Sequence, residues 1–174
     1  LVARGASVVA LDLLLSEPDR MGSTAGGVAG LPSPNDAILE RSLRSGTVVL
    51  GHAFTFEESG GIEGSPCILH PVPIVAIQRE GERDPLDGLF RPTGVICTLP
   101  RLSRAAGASG FLNASPDPDG VMRRVPLLVA SGDQVFPGLA LAAVLRARGV
   151  ESIGLSSAPG GDLALTMGDR RVPL

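Results

Sequence analysis

Residues 110–149 have the sequence GFLNASPDPDGVMRRVPLLVASGDQVFPGLALAAVLRARG, and this stretch decides the fold. Residues 115–120 (SPDPDG) predict a turn, because each proline restricts φ and Gly120 can take a positive φ. We expect residues 121–130 to form the strand that follows, and residues 131–133 to form a second turn. A turn, a strand and a second turn in this order predict a compact unit with consistent local signals.

A helix is predicted after the second turn. Pro137 lies at its first turn and Gly149 ends it, while Arg146 and Arg148 lie near its negative end. Residues 139–145 are apolar around nearly the whole circumference, which predicts either deep burial in the core or a helix interface. The small alanine faces would allow the close approach that a homodimer contact needs. Both interpretations stay open at this point.

The amino-terminal part predicts a parallel sheet. Residues 7–15 are almost continuously apolar, which is typical of a parallel strand covered on both faces, and Asp12 lies near its carboxyl end. A helix over 33–45 is followed by Gly46 and by a second buried strand at 47–51. A strand, a helix and a strand in this order form a βαβ unit, so the two strands are expected to be parallel.

The remaining patterns complete an α/β fold. Residues 72–78 predict an edge strand because of neighbouring prolines, and a short helix is expected at 99–106. Three short β-like segments follow Gly149 and predict a small antiparallel hairpin: 152–155, 163–167 and 171–174. The fold class is therefore α/β, with a mixed, largely parallel sheet flanked by helices and a small antiparallel β extension at the carboxyl terminus. We expect one domain over residues 1–174, truncated at both ends, because the chain begins and stops inside predicted elements.

Composition excludes several classes of function. The chain has 174 residues and 44% hydrophobic content, which suits one folded domain. Its net charge of −3 and the lack of a basic stripe disfavour nucleic acid as a partner. The longest apolar run, at 138–145, is far shorter than the ~20 residues that cross a bilayer. Cys67 and Cys97 either pair in an oxidising compartment or stay as two buried thiols.

The candidate ligand-binding residues follow two predicted strands. Asp12, Glu17 and Asp19 lie at or after the end of the first strand, where ligands gather in open parallel sheets. Three carboxylates could bind a cation or act as acid and base, or they could accept backbone hydrogen bonds and cap a turn. His52 follows the second strand and would face Asp12 if the strands are neighbours, which is the basis of an alternative hydrolase hypothesis. No nucleophile motif, metal-ligand spacing or cofactor motif accompanies them, so no catalytic residue, metal or cofactor is expected.

The acidic turn has a different interpretation. Asp117, Asp119 and Gly120 superficially resemble a calcium loop, but the first and twelfth positions of an EF-hand hold Ser115 and Pro126 here. We therefore predict a structural turn with arginines near its aspartates. Its residues are Asn113, Asp117, Asp119, Gly120, Arg123 and Arg124.

Four segments carry a family resemblance: VVALDLLLSEPD at 8–19, GFLN at 110–113, PDPDGVMRRVPL at 116–127 and VFPGLALA at 135–142. In this order they resemble the type-two CHASE family of extracellular sensory domains. The resemblance implies a non-catalytic, extracytoplasmic (periplasmic or extracellular) domain that binds an unknown small-molecule or ionic signal. It also implies attachment through flanking transmembrane helices to an adenylate or guanylate cyclase, a histidine kinase or a serine/threonine kinase. By this resemblance, one strand and one helix are expected before residue 1, and further strands are expected after residue 174, before the membrane helices. A ligand-free dimerisation module is the other alternative.

Overall fold

The computed structural model describes residues 4–20, 33–44, 47–57, 67–77, 84–157 and 163–174. These residues form a mixed α/β fold with three α-helices and three β-sheets. The helices are α1 (Pro34–Leu43), α2 (Pro100–Ala106) and α3 (Leu139–Arg148). The strands are β1 (Val9–Leu11), β2 (Val48–Thr55), β3 (Ile74–Ile77), β4 (Gly94–Ile96), β5 (Ser109–Phe111), β6 (Leu128–Ser131), β7 (Gln134–Pro137), β8 (Ile153–Ser157), β9 (Leu163–Met167) and β10 (Arg170–Pro173).

The first sheet is built around β2. This strand pairs in parallel with β1 and β5 and antiparallel with β4. Leu50 is opposite both Leu11 of β1 and Ser109 of β5. The three parallel strands therefore end at the same edge of the sheet. The predicted βαβ unit of β1, α1 and β2 is confirmed.

The other two sheets are mostly antiparallel. The second has the order β10-β9-β8-β3, in which only β3 and β8 are parallel. The third is the hairpin of β6 and β7, closed by a two-residue loop in which Gly132 takes a φ of 57°. The predicted antiparallel extension at the carboxyl terminus is confirmed, and the predicted edge strand is β3.

The expectation of a largely parallel sheet is wrong. Among the described strand pairs, three are parallel and four are antiparallel. The reason is that only one βαβ unit was evident, and short hairpins connect most of the later strands. Hairpin connections impose antiparallel pairing, whereas parallel pairing needs a crossover.

Two boundaries in the central stretch differ from the prediction. The strand expected at 121–130 is limited to β6, because Pro126 has no N–H to donate and the Leu127 carbonyl accepts the Gly138 N–H instead. Pro137 is not the first residue of the helix but the last of β7, and Gly138 is the helix N-cap. Residues 134–136 lie between the predicted turn at 131–133 and the predicted helix and belong to neither prediction, so β7 was not expected.

The first strand is also shorter than predicted and is not covered on both faces. Only Val9–Leu11 pair with β2, and Ala10 is exposed. The Leu15 carbonyl accepts the Leu99 N–H, so residues 12–15 leave β2 and run toward the start of α2. Leu13 is consequently 55% exposed.

Three apolar clusters hold the elements together. Leu50 of β2 packs with Leu43 of α1 and Leu102 of α2. A second cluster joins α3 to the β8–β9 hairpin, and a third consists of Phe54, Phe111, Val129 and Phe136. The helical pattern predicts Ile38, Leu39 and Leu43 on one buried side of α1. Leu39 and Leu43 do face the cluster, but Ile38 is 60% exposed.

Cys67 and Cys97 form a disulfide with a Cα–Cα distance of 5.7 Å. This settles the choice between a pair and two buried thiols. The bond ties the segment before β3 to the residues between β4 and α2 across 30 residues of sequence. The sequence also predicts a helix end at 1–6 and glycine-rich loops at 21–34 and 57–65. Of these, residues 1–3, 21–32 and 58–65 lie outside the described residues.

Candidate functional site

A cavity of about 210 Å³ lies at the carboxyl edge of the parallel strands. Asp12 directly follows β1, and Leu112 and Asn113 follow β5, so all three reach this edge. The start of α3 and the segment 125–127 form the opposite wall. We call this the Asp12 cavity. Its position matches the place where ligands bind in open parallel sheets.

Two glycines let α3 close this wall. A Cβ atom on Gly110 would lie 2.6 Å from the Leu139 Cα, so only glycine allows β5 and the helix backbone to approach this closely. Gly138 is the N-cap and has no side chain to bond the first turn of the helix. The helix therefore begins directly against the cavity, with its positive end toward it.

Asn113 has a structural bonding pattern. Its Oδ1 accepts the Phe54 N–H and its Nδ2 donates to the Phe54 carbonyl, both at 2.8 Å. The side chain thereby continues the pairing of β5 with β2 after the strand has ended. These bonds use one of the two Nδ2 N–H donors and one of the two Oδ1 lone pairs, so Asn113 shapes the cavity and keeps one donor and one acceptor position for a ligand.

Asp12 is the ionisable group of the Asp12 cavity. It is exposed and makes no hydrogen bond or ion pair with any described residue, and no other described lining residue can ionise. The other lining side chains, apart from Asn113, are apolar. A carboxylate at the mouth of an apolar cavity can bind a small cation or an amine with an apolar body.

Glu17 and Asp19 have other partners. The Arg20 guanidinium donates to the Glu17 carboxylate. The Asp19 N–H donates to the Asp36 carboxylate at 3.2 Å, and the Asn35 side chain donates to the Asp19 carboxylate at 2.8 Å. The two bonds of Asp19 attach this segment to the start of α1, whereas the Glu17–Arg20 pair is local.

His52 lies in the core rather than beside Asp12. Its side chain is 1% exposed, and its ring is edge-on to Phe54 at a centroid distance of 5.1 Å and to Phe136 at 6.5 Å. Neither ring nitrogen has a hydrogen-bond partner among the described residues. Burial, and secondarily the charge of His70, lowers the pKa of His52 to about 4. The ring is therefore neutral at pH 7, and it does not line the Asp12 cavity.

A second histidine contact was missed by the sequence analysis. The His70 Nδ1 lies 3.0 Å from the hydroxyl of Ser109, which is buried in β5 and also accepts the His70 N–H at 3.2 Å. Burial, followed by the charge of Arg146, lowers the pKa of His70. The two residues are 39 positions apart and share no motif, so only the fold brings them together.

The acidic turn forms as a bonded unit. The Gly120 N–H donates to the Asp117 carbonyl at 2.8 Å, and Gly120 has a φ of 81°. Arg123 donates to Asp119 at 2.8 and 2.9 Å and to Asp117 at 3.1 Å, while Arg124 reaches Asp117 at 3.4 Å. The bonds from Arg123 are the main reason that the pKa of Asp119 is lowered.

Comparison with known proteins gives one family. The model of the CHASE2 domain matches residues 1–173. The chain belongs to the CHASE2 domain family. Neither the curated proteins nor the solved structures gave a match. This match confirms the family resemblance found in the sequence. CHASE2 domains are extracytoplasmic sensory modules of receptors.

The CHASE2 fold brings only part of the predicted site together. Asp12 and Asn113 line the same cavity, whereas Asp19 bonds to the start of α1, Glu17 pairs with Arg20 and His52 lies beside the phenyl rings. Within the described part of the chain, no group of three or more His, Cys, Asp or Glu side chains could hold a metal ion. None of the described helices combines the length and apolarity that a membrane crossing requires.

Proposed function

We propose that this CHASE2 domain is the signal-sensing head of a transmembrane receptor and has no catalytic activity of its own. Flanking membrane helices would connect it to a cytoplasmic adenylate or guanylate cyclase, a histidine kinase or a serine/threonine kinase. The observation that carries the proposal is the family match over residues 1–173, because CHASE2 is a sensory family of receptors.

The Asp12 cavity is the proposed place of signal contact. The Asp12 carboxylate would pair with an organic amine or a small inorganic cation, and the apolar walls suit an organic body. The positive end of α3 at the opposite wall weakens this attraction but does not remove the charge pair. The cavity lies between β5 and the start of α3, so an occupant would touch two elements that meet at the Gly110–Leu139 contact. Binding there would favour one position of α3 over another, and this change of position would pass the signal to the rest of the receptor.

The hydrolase alternative has less support. It requires Asp12 and His52 to act together, but one is exposed at a cavity and the other is enclosed by phenyl rings. A histidine whose pKa is lowered to about 4 by burial is also a weak base at neutral pH.

A homodimer is a second proposal, based on α3. Ala140, Val144 and Ala147 are exposed along one side of this helix, while Leu141 and Leu145 are buried. A second copy of the chain could pack on this small-residue side. Sedimentation of the wild type and of Val144→Glu tests it: the wild type should sediment as a dimer and the variant as a monomer. Equal sedimentation of the two would exclude this face.

The sensing proposal is tested on the 174-residue chain by thermal shift with divalent cations and small amines. A ligand at 100 times its Kd stabilises the folded state by about 2.7 kcal/mol, which raises the Tm of a domain of this size by about 5–10 °C. We expect Asp12→Asn to abolish the shift. Asp133→Asn removes the same charge from the exposed β6–β7 turn and should keep it.

The receptor itself provides the decisive measurement. In the full-length protein, cyclase or kinase output should respond to the same compound, and Asp12→Asn should abolish the response while basal output persists. A parent gene without a membrane anchor, or an output that ignores the compound in the wild type, would contradict the proposal.

A further inference from the structure

A second, larger cavity of about 430 Å³ lies on another side of the segment 125–127. It is formed by the loop before β6, the residues around the 3-10 helix Pro85–Gly88, and the end of the β9–β10 hairpin. We call it the Arg124 cavity. The lining residues used below are Phe90, Arg123, Arg124, Val125 and Leu163.

The walls of the Arg124 cavity are apolar and unusually exposed. Phe90 is 62% exposed and Val125 is 53% exposed. Phe56, which is also exposed, places its ring edge-on to Phe90 at a centroid distance of 6.4 Å and extends the apolar surface. Apolar side chains that are exposed together around a concavity mark a place where something binds.

The charged side chains on this cavity are of one sign. Among the described lining side chains, the ionisable groups are the guanidinium groups of Arg123 and Arg124. Arg123 is held by three bonds to Asp117 and Asp119. Arg124 is different: its side chain is 87% exposed and makes one contact, at 3.4 Å, with Asp117.

Arg124 therefore has donors available for an incoming acceptor. A guanidinium has five N–H donors and binds a carboxylate with two parallel bonds. The single long contact to Asp117 leaves most of these donors without a protein acceptor among the described residues. The guanidinium lies at the rim of the cavity that Val125 and Leu163 line, so a bound anion would have apolar surface next to it.

We propose that the Arg124 cavity binds an amphipathic anion, namely a carboxylate carried on an unbranched acyl chain. The carboxylate bonds to the Arg124 guanidinium, and the chain lies along Phe90, Val125 and Leu163. A cation is disfavoured by the two arginines, and a sugar is disfavoured because few hydrogen-bonding side chains line the walls. This inference goes beyond the proposed function, since it concerns a different cavity and does not require a receptor.

Calorimetric titration of the 174-residue chain tests the proposal with hexanoate, octanoate and decanoate below their micelle concentrations. Each added methylene should tighten binding about two- to fourfold, because it buries further apolar surface. Arg124→Gln should weaken decanoate binding about tenfold through the loss of a charge-assisted bond. Arg41→Gln removes the same charge from the exposed side of α1 and should bind like the wild type.

Further arms make each outcome decisive. Phe90→Asp, at an exposed residue that lines the Arg124 cavity and not the Asp12 cavity, should weaken binding at least as much as Arg124→Gln, and it covers the case in which the arginine variant does not fold. Decanol binding as tightly as decanoate, equal affinities of the Arg124 and Arg41 variants, or no binding of any of the acids would overturn the proposal. Binding to phosphatidylglycerol vesicles without binding to soluble decanoate would also overturn it and would assign the surface to a membrane. None of these results bears on whether Asp12→Asn silences receptor output, so this inference can fail while the sensing proposal stands.

Discussion

Acid should destabilise this domain over a pH range set by His52. The ring is enclosed by Phe54 and Phe136, its nitrogens have no partner among the described residues, and its pKa is lowered from 6.5 to about 4. The unfolded chain therefore binds a proton at a higher pH than the folded one. The contribution of His52 to the free energy of unfolding is complete above about pH 6.5 and is lost as the pH falls from 6.5 toward 4.

The magnitude follows from the same two pKa values. A shift of about 2.5 units corresponds to about 3.4 kcal/mol when the loss is complete. Because protonation is gradual, His52 should account for a loss of about 2 kcal/mol at pH 5 and about 3 kcal/mol at pH 4. The pKa of His70 is lowered too, so its contribution has the same sign. The carboxyls of Glu40 and Asp119 have pKa values lowered by their arginine partners, so their contributions are lost only below about pH 4.5.

Urea unfolding at pH 7, 6, 5 and 4, with the disulfide intact, measures this directly. His52→Leu should lose about 2 kcal/mol less than the wild type between pH 7 and pH 5. At pH 7 it should be at least as stable as the wild type, because leucine removes two buried and unpaired ring nitrogens. His70→Gln is the control, since it removes the other histidine and leaves the decline due to His52. A His52→Leu variant whose stability falls as steeply as that of the wild type would refute the reasoning.

Three further outcomes are expected. Gly110→Ala should lower the free energy of unfolding by about 2–3 kcal/mol, because the new Cβ meets the Leu139 backbone. Gly51→Ala should lower it less, because the new Cβ meets only the flexible Leu112 side chain. Equal urea midpoints for the two variants would contradict this. Asn113→Ala should lower the free energy of unfolding by about 2–3 kcal/mol, because the Phe54 N–H and the Phe54 carbonyl each lose their bond to the amide. An unchanged urea midpoint would exclude a structural role for the Asn113 side chain. Reduction of the disulfide, which spans 30 residues, should destabilise the domain by about 3–4 kcal/mol, and an unchanged melting curve with dithiothreitol would argue against it.

The sequence predicts best where one local rule dominates. Gly120, Gly132 and Gly149 lie at the predicted turns and helix end, and all three have positive φ. The βαβ unit was also predictable, because a helix between two apolar strands leaves few other connections. The family resemblance came from four segments that follow one another in the same order as in the family, and it led to the correct family of sensory domains.

Features that depend on tertiary contacts were not predictable. Pro137 has a helix-start signal, yet pairing with Leu128 places it at the end of β7. The length of β1 is set by where Leu15 meets Leu99, 84 residues later in the sequence. The sequence alone gave no reason to separate His52 from Asp12, because that separation depends on which face of the sheet each side chain occupies.

The segment 125–127 belongs to the walls of both cavities. A partition of three residues cannot shift toward one side without altering the space on the other. If occupants of the two cavities favour different positions of this partition, each must change the affinity of the other by the same factor, as thermodynamic reciprocity requires. A receptor head of this construction would report a comparison of two chemicals rather than the concentration of one.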